Sequence, residues 1–372
     1  MLPQLTPRTK RLKQPALQAD RLTRGMKMLY KSRAPVRIDL AGGWTDTPPF
    51  SALEGGAVVN LAIRLYTHCR LTLRPEAAGI TIVSLDLNQR CAVGSVERLE
   101  YDGTCDLAKA AVRRLGAPGG VELVTRSEAP AGSGLGTSAA LGVSVIGALS
   151  RALGGACSRE ETAELARDIE LLELGIWCGK QDHYASALGG LNFMLFNDPL
   201  VKIEEVAIPA DARDELFSRM VLAYTGRSRL SGNIHANVVS EYRHGARRTV
   251  NALRRLRGIA LEMREALSHG DLSAVCELLW ENWARQADLH PSVTTPELAS
   301  LIEVGRVSGA QGGKACGAGG GGCLLFVARE GEEGRLAEAL RGAGAQILEV
   351  APDYEGLSAQ ELTVSAHLSP SV

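Results

Sequence analysis

The chain has 372 residues, a formal net charge of −1, 45% apolar residues and only 4% aromatic ones. That length exceeds one ordinary core, so two lobes around a cleft are expected. Near-neutral charge and few aromatics argue against a nucleic-acid binder, and the absence of an 18-residue apolar run leaves no membrane-spanning helix.

Eight cysteines, at 69, 91, 105, 157, 178, 276, 316 and 323, form no CxxC pair. That scatter reads as reduced, mostly buried thiols of a cytoplasmic protein, not as a disulfide frame or a zinc site. Residues 1–28 hold seven Lys/Arg against one acid, Asp20. They read as a disordered leader or an early start, with Met26 or Met28 as the true beginning. A transit peptide shares the basic, acid-poor composition. From Pro35 to Ala41 apolar and polar residues alternate, which predicts a strand halted by the turn Gly42-Gly43-Trp44-Thr45-Asp46-Thr47-Pro48-Pro49. Further strands are expected at 57–63, 67–73 and 80–84, a helix at 106–115 and a strand at 121–125. Helices follow over 141–153, from a start near Thr137, and over 159–174, the latter behind a capping box of Ser158 and Glu161. Gly175 ends that helix, and a new piece begins at Gly179-Lys180-Gln181-Asp182-His183 before strands at 188–196 and 201–206. The lobe boundary falls within 199–209, giving a first lobe over 29–205, a second over 206–365 and a tail at 366–372. The second lobe opens with a strand at 220–224 and continues with a helical stretch over 231–268, breakable near His244-Gly245. Helices at 272–283 and 296–307 precede a glycine-rich loop over 312–322. A strand at 323–327, a helix at 331–340 and a strand at 346–350 complete the lobe.

The chemistry concentrates at Gly132-Ser133-Gly134-Leu135-Gly136-Thr137-Ser138, which runs directly into the apolar helix. Glycines at 132, 134 and 136 let backbone N–H groups turn into one hollow, because no Cβ blocks positive φ. The helix head adds unpaired N–H groups and the positive end of its dipole, and together these make an anion site suited to a triphosphate. Ser138 offers a hydroxyl at the height of a bridging Mg²⁺. Neither the Walker A pattern nor the dinucleotide fingerprint fits, since Thr137 stands where the last glycine of G-x-G-x-x-G belongs. Two other features are chemically suggestive. A carboxylate at Asp46 suits adjacent sugar hydroxyls and Trp44 an apolar sugar face, although an N-cap and a core Trp are the ordinary alternatives. Glu170 and Asp182 lie twelve residues apart across the break at Gly175.

Three stretches resemble the three signatures of the GHMP kinases, in family order over about residues 31–351. They are Arg33 to Pro49, Pro130 to Ala140, and Lys314 to Gly322 with its K-x-x-G-A-G-G-G-G wording. The resemblance implies an α+β, two-lobed fold, with an N-terminal lobe like ribosomal protein S5 domain 2 and a ferredoxin-like C-terminal lobe. It implies ATP on residues 132–138, with Mg²⁺ on Ser138 and Glu170; Glu173 is the rival metal ligand. Asp182 faces the substrate hydroxyl as a weak base or a positioning acceptor, and Arg37 holds it ionised. Trp44, Asp46 and Gly319 are expected at the substrate.

The sugar is less determined. Gly42 to Pro49, Gly55 to Ile63 and Arg229 to Val239 are similar to L-fucokinases. Gly179 to Ala185, Gly189 to Phe193, Thr225 to Arg229 and Gly312 to Lys314 are similar to D-glycero-D-manno-heptose 7-phosphate kinases. His183 stands where both usually have Gln, and Cys323 where Phe is usual. Thr225 to Arg229 either brings a cation to the substrate or is a solvated turn, and His183 and His235 either reach the cleft or are structural. The expected function is an ATP-dependent sugar 1-kinase, most like an L-fucokinase, with the heptose-phosphate kinase second and a non-catalytic sugar- or nucleotide-binding regulator third. No nucleic-acid or membrane partner is expected, and a monomer and a homodimer remain equally open.

Overall fold

The computed structural model describes residues 27–362 apart from 75, 76, 118, 156 and 228–230. Residues 1–26 of the basic leader, the tail, Ser228 and Arg229 therefore lie outside the described residues. In chain order the first lobe comprises β1 (Met28–Ala41), α1 (Phe50–Leu53), β2 (Gly56–Leu73), β3 (Ile80–Ser84), β4 (Gln89–Val93), α2 (Asp106–Leu115), β5 (Val121–Ser127), α3 (Thr137–Ala152), α4 (Arg159–Asp168), α5 (Gln181–Leu188), β6 (Leu191–Asn197) and β7 (Leu200–Glu205). The second contains α6 (Ala210–Ser218), β8 (Met220–Tyr224), α7 (Ser231–Arg243), α8 (Arg247–His269), α9 (Leu272–Ala287), α10 (Pro296–Val307), β9 (Ala310–Ala315), β10 (Cys323–Ala328), α11 (Glu333–Gly342) and β11 (Gln346–Leu348), and the chain ends on β12 (Ser358–Leu362).

Two long strands carry the first lobe. β1 and β2 pair antiparallel from Met28↔Leu73 to Ala41↔Val59, with a register shift between Pro35 and Val36. The two strands expected over 57–73 are one, because a bulge bends β2 where it passes Pro35 instead of ending it. The sheet runs β12-β1-β2-β5-β3-β4, with β6 on β2 and β7 on β6. α3 lies across β1 and β2, buried along most of its length, which is why it is apolar nearly all round.

The second sheet has the order β11-β8-β10-β9 and is antiparallel throughout. With its crossover helices it is a βαββαβ unit, the ferredoxin-like arrangement. The long helical stretch does break near His244-Gly245, and Gly245 has a φ of 70° there.

Several boundaries differ from the sequence reading. The helix expected over 159–174 is α-helical only to Asp168 and then widens into a π turn, Ile169–Glu173. Strand 188–196 is preceded by α5, so Leu188 is helical. β4, α6 and β9 are additional; β9 hides in the glycine run because a Cβ at Gly313 would come within 2.6 Å of the Phe326 ring. β12 corrects the assignment of everything after 205 to the second lobe. It pairs with β1, Leu29↔Leu362 to Arg33↔Ser358, and so covers an edge the first sheet would otherwise expose.

The core divides accordingly. One apolar cluster joins the first sheet to α3 and continues through α8 and α9 to one side of the second sheet, at Leu222, Leu325 and Val327. The other surrounds Leu256, Leu324 and Phe326 in the second lobe and takes in Trp44 and Phe50. The turn after β1 is thus docked on the second lobe, and the lobes meet where β1 ends.

Candidate active site

The glycine-rich loop between β5 and α3 has Gly132, Gly134 and Gly136 at φ values of 68°, 77° and 75°. Gly136 is the N-cap of α3, and no side chain caps the helix. Its first N–H groups and dipole are thereby left to an anion. Ser133 and Leu135 are buried, Gly132 and Ser138 are exposed, and the Thr137 and Ser133 hydroxyls lie 3.3 Å apart. The β9–β10 hairpin backs this loop from the other lobe. The Cys323 N–H donates to the Ser133 carbonyl at 2.7 Å, and a Cβ on Gly134 would stand 2.6 Å from the Cys316 carbonyl oxygen. Glycine is required for so close an approach of two backbones.

Arg37, buried on β1, ties the loop to Asp182 in the first turn of α5. Its backbone N–H donates to the Leu135 carbonyl at 2.9 Å and its Nη1 to the Gly134 carbonyl at 2.7 Å. Nε donates to Asp182 Oδ1 at 2.8 Å, and Nη2 lies 2.6 Å from the same oxygen. Burial opposes the Arg37 charge, but Asp182 and Asp39 outweigh it and raise the guanidinium pKa, so the cation persists. The Asp182 side chain keeps 29% exposure and stands so near the helix head that a Cβ on Gly136 would be 3.1 Å from Oδ2. One guanidinium therefore holds the carboxylate beside the anion cradle.

Glu170 sits on the π turn, buried, where the widened backbone turns it toward α3. The Ser138 hydroxyl donates to Oε1, and a ring nitrogen of buried His183 lies 2.8 Å from Oε2. Burial alone would push this carboxyl up; His183, Ser138 and Cys178 outweigh it and hold it below the usual carboxylate range. Glu173, the rival ligand in the sequence, instead accepts from the Tyr101 hydroxyl. His183 is buried and anchors Glu170. Its exchange for the usual Gln was visible in the sequence, but the partner was not.

Asp46 is 2% exposed and accepts from the Gln181 N–H at 3.0 Å, which places it one residue from Asp182 along α5. Trp44, expected to face a sugar, is instead 6% exposed and packs on His235 at a centroid distance of 4.4 Å. Its φ of 81° is strained for a bulky residue, a feature that clusters at functional sites. Burial drives the His235 imidazole down to about 4, so it is neutral at pH 7. Gly319 lies against the Val293 carbonyl, 2.5 Å from where its Cβ would be. Arg227 is exposed and paired with Glu297 at 2.7 Å. The sequence reading missed two anchors. Lys314 is fully buried with its Nζ 2.6 Å from Asp39 Oδ2, and Lys180, also buried, reaches Glu164 and Asp198, each at 3.1 Å. A lysine inside a run of small residues was the available signal for Lys314; Lys180, followed by Gln181 and Asp182, carried none.

Comparison with known proteins gives the family. Residues 105–190 match the GHMP kinases N terminal domain and residues 263–346 the GHMP kinases C terminal region. The chain is 34% identical over 317 residues to the D-glycero-alpha-D-manno-heptose 7-phosphate kinase of Campylobacter jejuni, covering 84% of this chain and 93% of that one. It is 31% identical over 335 residues to the L-fucokinase/L-fucose-1-P guanylyltransferase of Bacteroides fragilis, spanning 80% of this chain but 34% of that relative. A solved D-glycero-D-manno-heptose 1-phosphate kinase from Bacteroides thetaiotaomicron superposes with a TM-score of 0.76 at 28% identity, over 90% of this chain and all of the other. No helix among the described residues is long and apolar enough to cross a membrane. An uncapped glycine cradle, a guanidinium-held carboxylate and end-to-end likeness to phosphotransferases acting on hydroxyl acceptors lead to one conclusion: the chain belongs to the GHMP kinase family and is a sugar kinase.

Proposed function

We propose that the protein transfers the γ-phosphoryl group of ATP to the anomeric hydroxyl of a sugar, with a heptose 7-phosphate as its preferred acceptor. The observation that carries this reading is the placement of Asp182 by Arg37 against the head of α3. The cradle of residues 132–138 takes the triphosphate, and the acceptor hydroxyl donates to the exposed side of Asp182. As the new O–P bond forms and the bond to the β-phosphate oxygen breaks, the hydroxyl proton passes to Asp182. Loose transition states need little base strength, so orienting the nucleophile is the larger part of the role. Asp46, which accepts from the Gln181 N–H next to Asp182, takes neighbouring sugar hydroxyls in this reading.

Ser138 and Glu170 already bring two hard oxygen donors together, which fits Mg²⁺ shared with phosphate oxygens. When bound there, the ion neutralises charge on the β- and γ-phosphates. The heptose preference rests on likeness to a heptose-phosphate kinase over nearly its whole length. A second reading, L-fucose as acceptor, is favoured by the Gly42 to Pro49 wording and by likeness to a fucokinase region.

The test is ADP release with Mg²⁺-ATP and D-glycero-D-manno-heptose 7-phosphate, L-fucose, D-galactose or D-mannose, the product position being read by phosphorus–proton coupling. Turnover on the heptose with phosphate on C1 is expected. Phosphate elsewhere on the ring, or no turnover with any of the four, would overturn the proposal. Asp182→Asn should lower kcat by about 10²–10⁴-fold while nucleotide still binds; near-normal turnover would remove Asp182 from the mechanism.

A further inference from the structure

We infer that Glu170, Cys178 and His183 form a binding site for a borderline divalent cation of the Zn²⁺ class. One ligand atom from each lies within 4.8 Å of the other two. Glu170 and His183 are buried and Cys178 is half-buried. The carboxylate has two faces: Oε1 meets Ser138 at the head of α3, whereas Oε2 meets His183. His183 Nδ1 is buried and has no hydrogen-bond partner among the described residues. A buried imidazole set against a thiol and a carboxylate calls for a reason beyond packing.

Ligand chemistry supplies it. Mg²⁺ takes oxygen donors and has little use for a thiol or an imidazole, while sulfur, nitrogen and carboxylate oxygen together suit Zn²⁺ or Co²⁺. Ordinary bond lengths to tetrahedral Zn²⁺ put neighbouring ligand atoms roughly 3.4–3.6 Å apart, so the three side chains need only small adjustments to close on an ion. On binding, the Cys178 thiol releases its proton to water as the sulfur–metal bond forms, with no change of oxidation state, and a fourth position remains for a water molecule. The cysteine spacing predicted no zinc site, because these ligands come from a π turn, the loop after it and α5, and follow no C-x-x-C pattern.

Chelator-treated full-length protein, free of nucleotide and Mg²⁺, would be titrated with Co²⁺. One Co²⁺ per chain is expected, with a thiolate-to-cobalt charge-transfer band that one equivalent of Zn²⁺ removes. Cys178→Ser should abolish the band and Cys157→Ser should keep it. His183→Gln should weaken binding at least about 100-fold, the upper end of what losing an outer partner of a metal ligand costs. A missing band in the unaltered protein, or one that survives Cys178→Ser, would overturn the site. X-ray absorption of the Zn²⁺-loaded unaltered chain gives the same answer should the variants fail to fold: one sulfur in the metal's shell is expected, and a shell of only nitrogen and oxygen refutes it. None of these readouts uses phosphoryl transfer, so their failure leaves the kinase reading untouched.

Discussion

Asp46 is a buried carboxyl whose ionisation should register in the stability of the fold. Burial pushes its carboxyl up to about 6, the charge of Asp182 adds to the shift, and the Gln181 N–H opposes it. A carboxyl whose pKa is raised on folding stabilises the fold below its unfolded value, and that contribution is lost as pH rises through the folded value. From an unfolded value of 3.8 to about 6, the loss amounts to roughly 3 kcal/mol. Relative to Asp46→Asn, the unaltered protein should therefore lose melting temperature between about pH 4 and pH 6, with the two differing by a constant amount above. Parallel melting curves across that range would show that Asp46 is not desolvated as described. At this scale the sequence offered Ser138 by its place at the helix head, and the family resemblance pointed to Glu170, Asp182 and Arg37. The choice of Glu170 over Glu173 was not legible, because it depends on the π turn that aims one carboxylate at α3 and leaves the other on Tyr101.

The phosphate loop and the β9–β10 hairpin form a single unit made of two backbones in contact. Gly134 combines a φ of 77° with a neighbour 2.6 Å from its would-be Cβ, whereas Gly103 has a φ of 89° and nothing within 4 Å. Gly103→Ala should cost only the left-handed strain of about 1–2 kcal/mol. Gly134→Ala should cost more and weaken ATP binding, because the hairpin must back away from the cradle. Chemical denaturation and nucleotide titration of both variants check this; equal stability losses with unchanged affinity would show that the loops do not support each other. The glycines were legible as permissive positions. Which backbone approaches which was not, since the two runs lie about 180 residues apart and only the sheet of the second lobe brings them together.

Across the whole molecule, the buried Lys314–Asp39 pair links β9 of one lobe to β1 of the other, and Nζ also donates to the Asp39 carbonyl at 2.7 Å. Removing one partner of such a pair leaves an uncompensated charge, so Lys314→Met should destabilise by about 3–5 kcal/mol. The double variant Lys314→Met/Asp39→Leu should recover much of that loss. Calorimetry on the single and double variants tests the coupling; simple additivity would mean the pair does not bridge the lobes. The chain by itself determined the glycine-lined loop ahead of an apolar helix and the three motifs that mark the family, because these depend on local backbone freedom and on residue types at short range. Only the tertiary structure decided that β12 returns to β1, that Trp44 packs on His235, and that Glu170 gathers Cys178 and His183. Those are contacts between segments far apart in sequence or turned by an irregular helix, and local pattern carries no record of which distant side chain fills the space opposite.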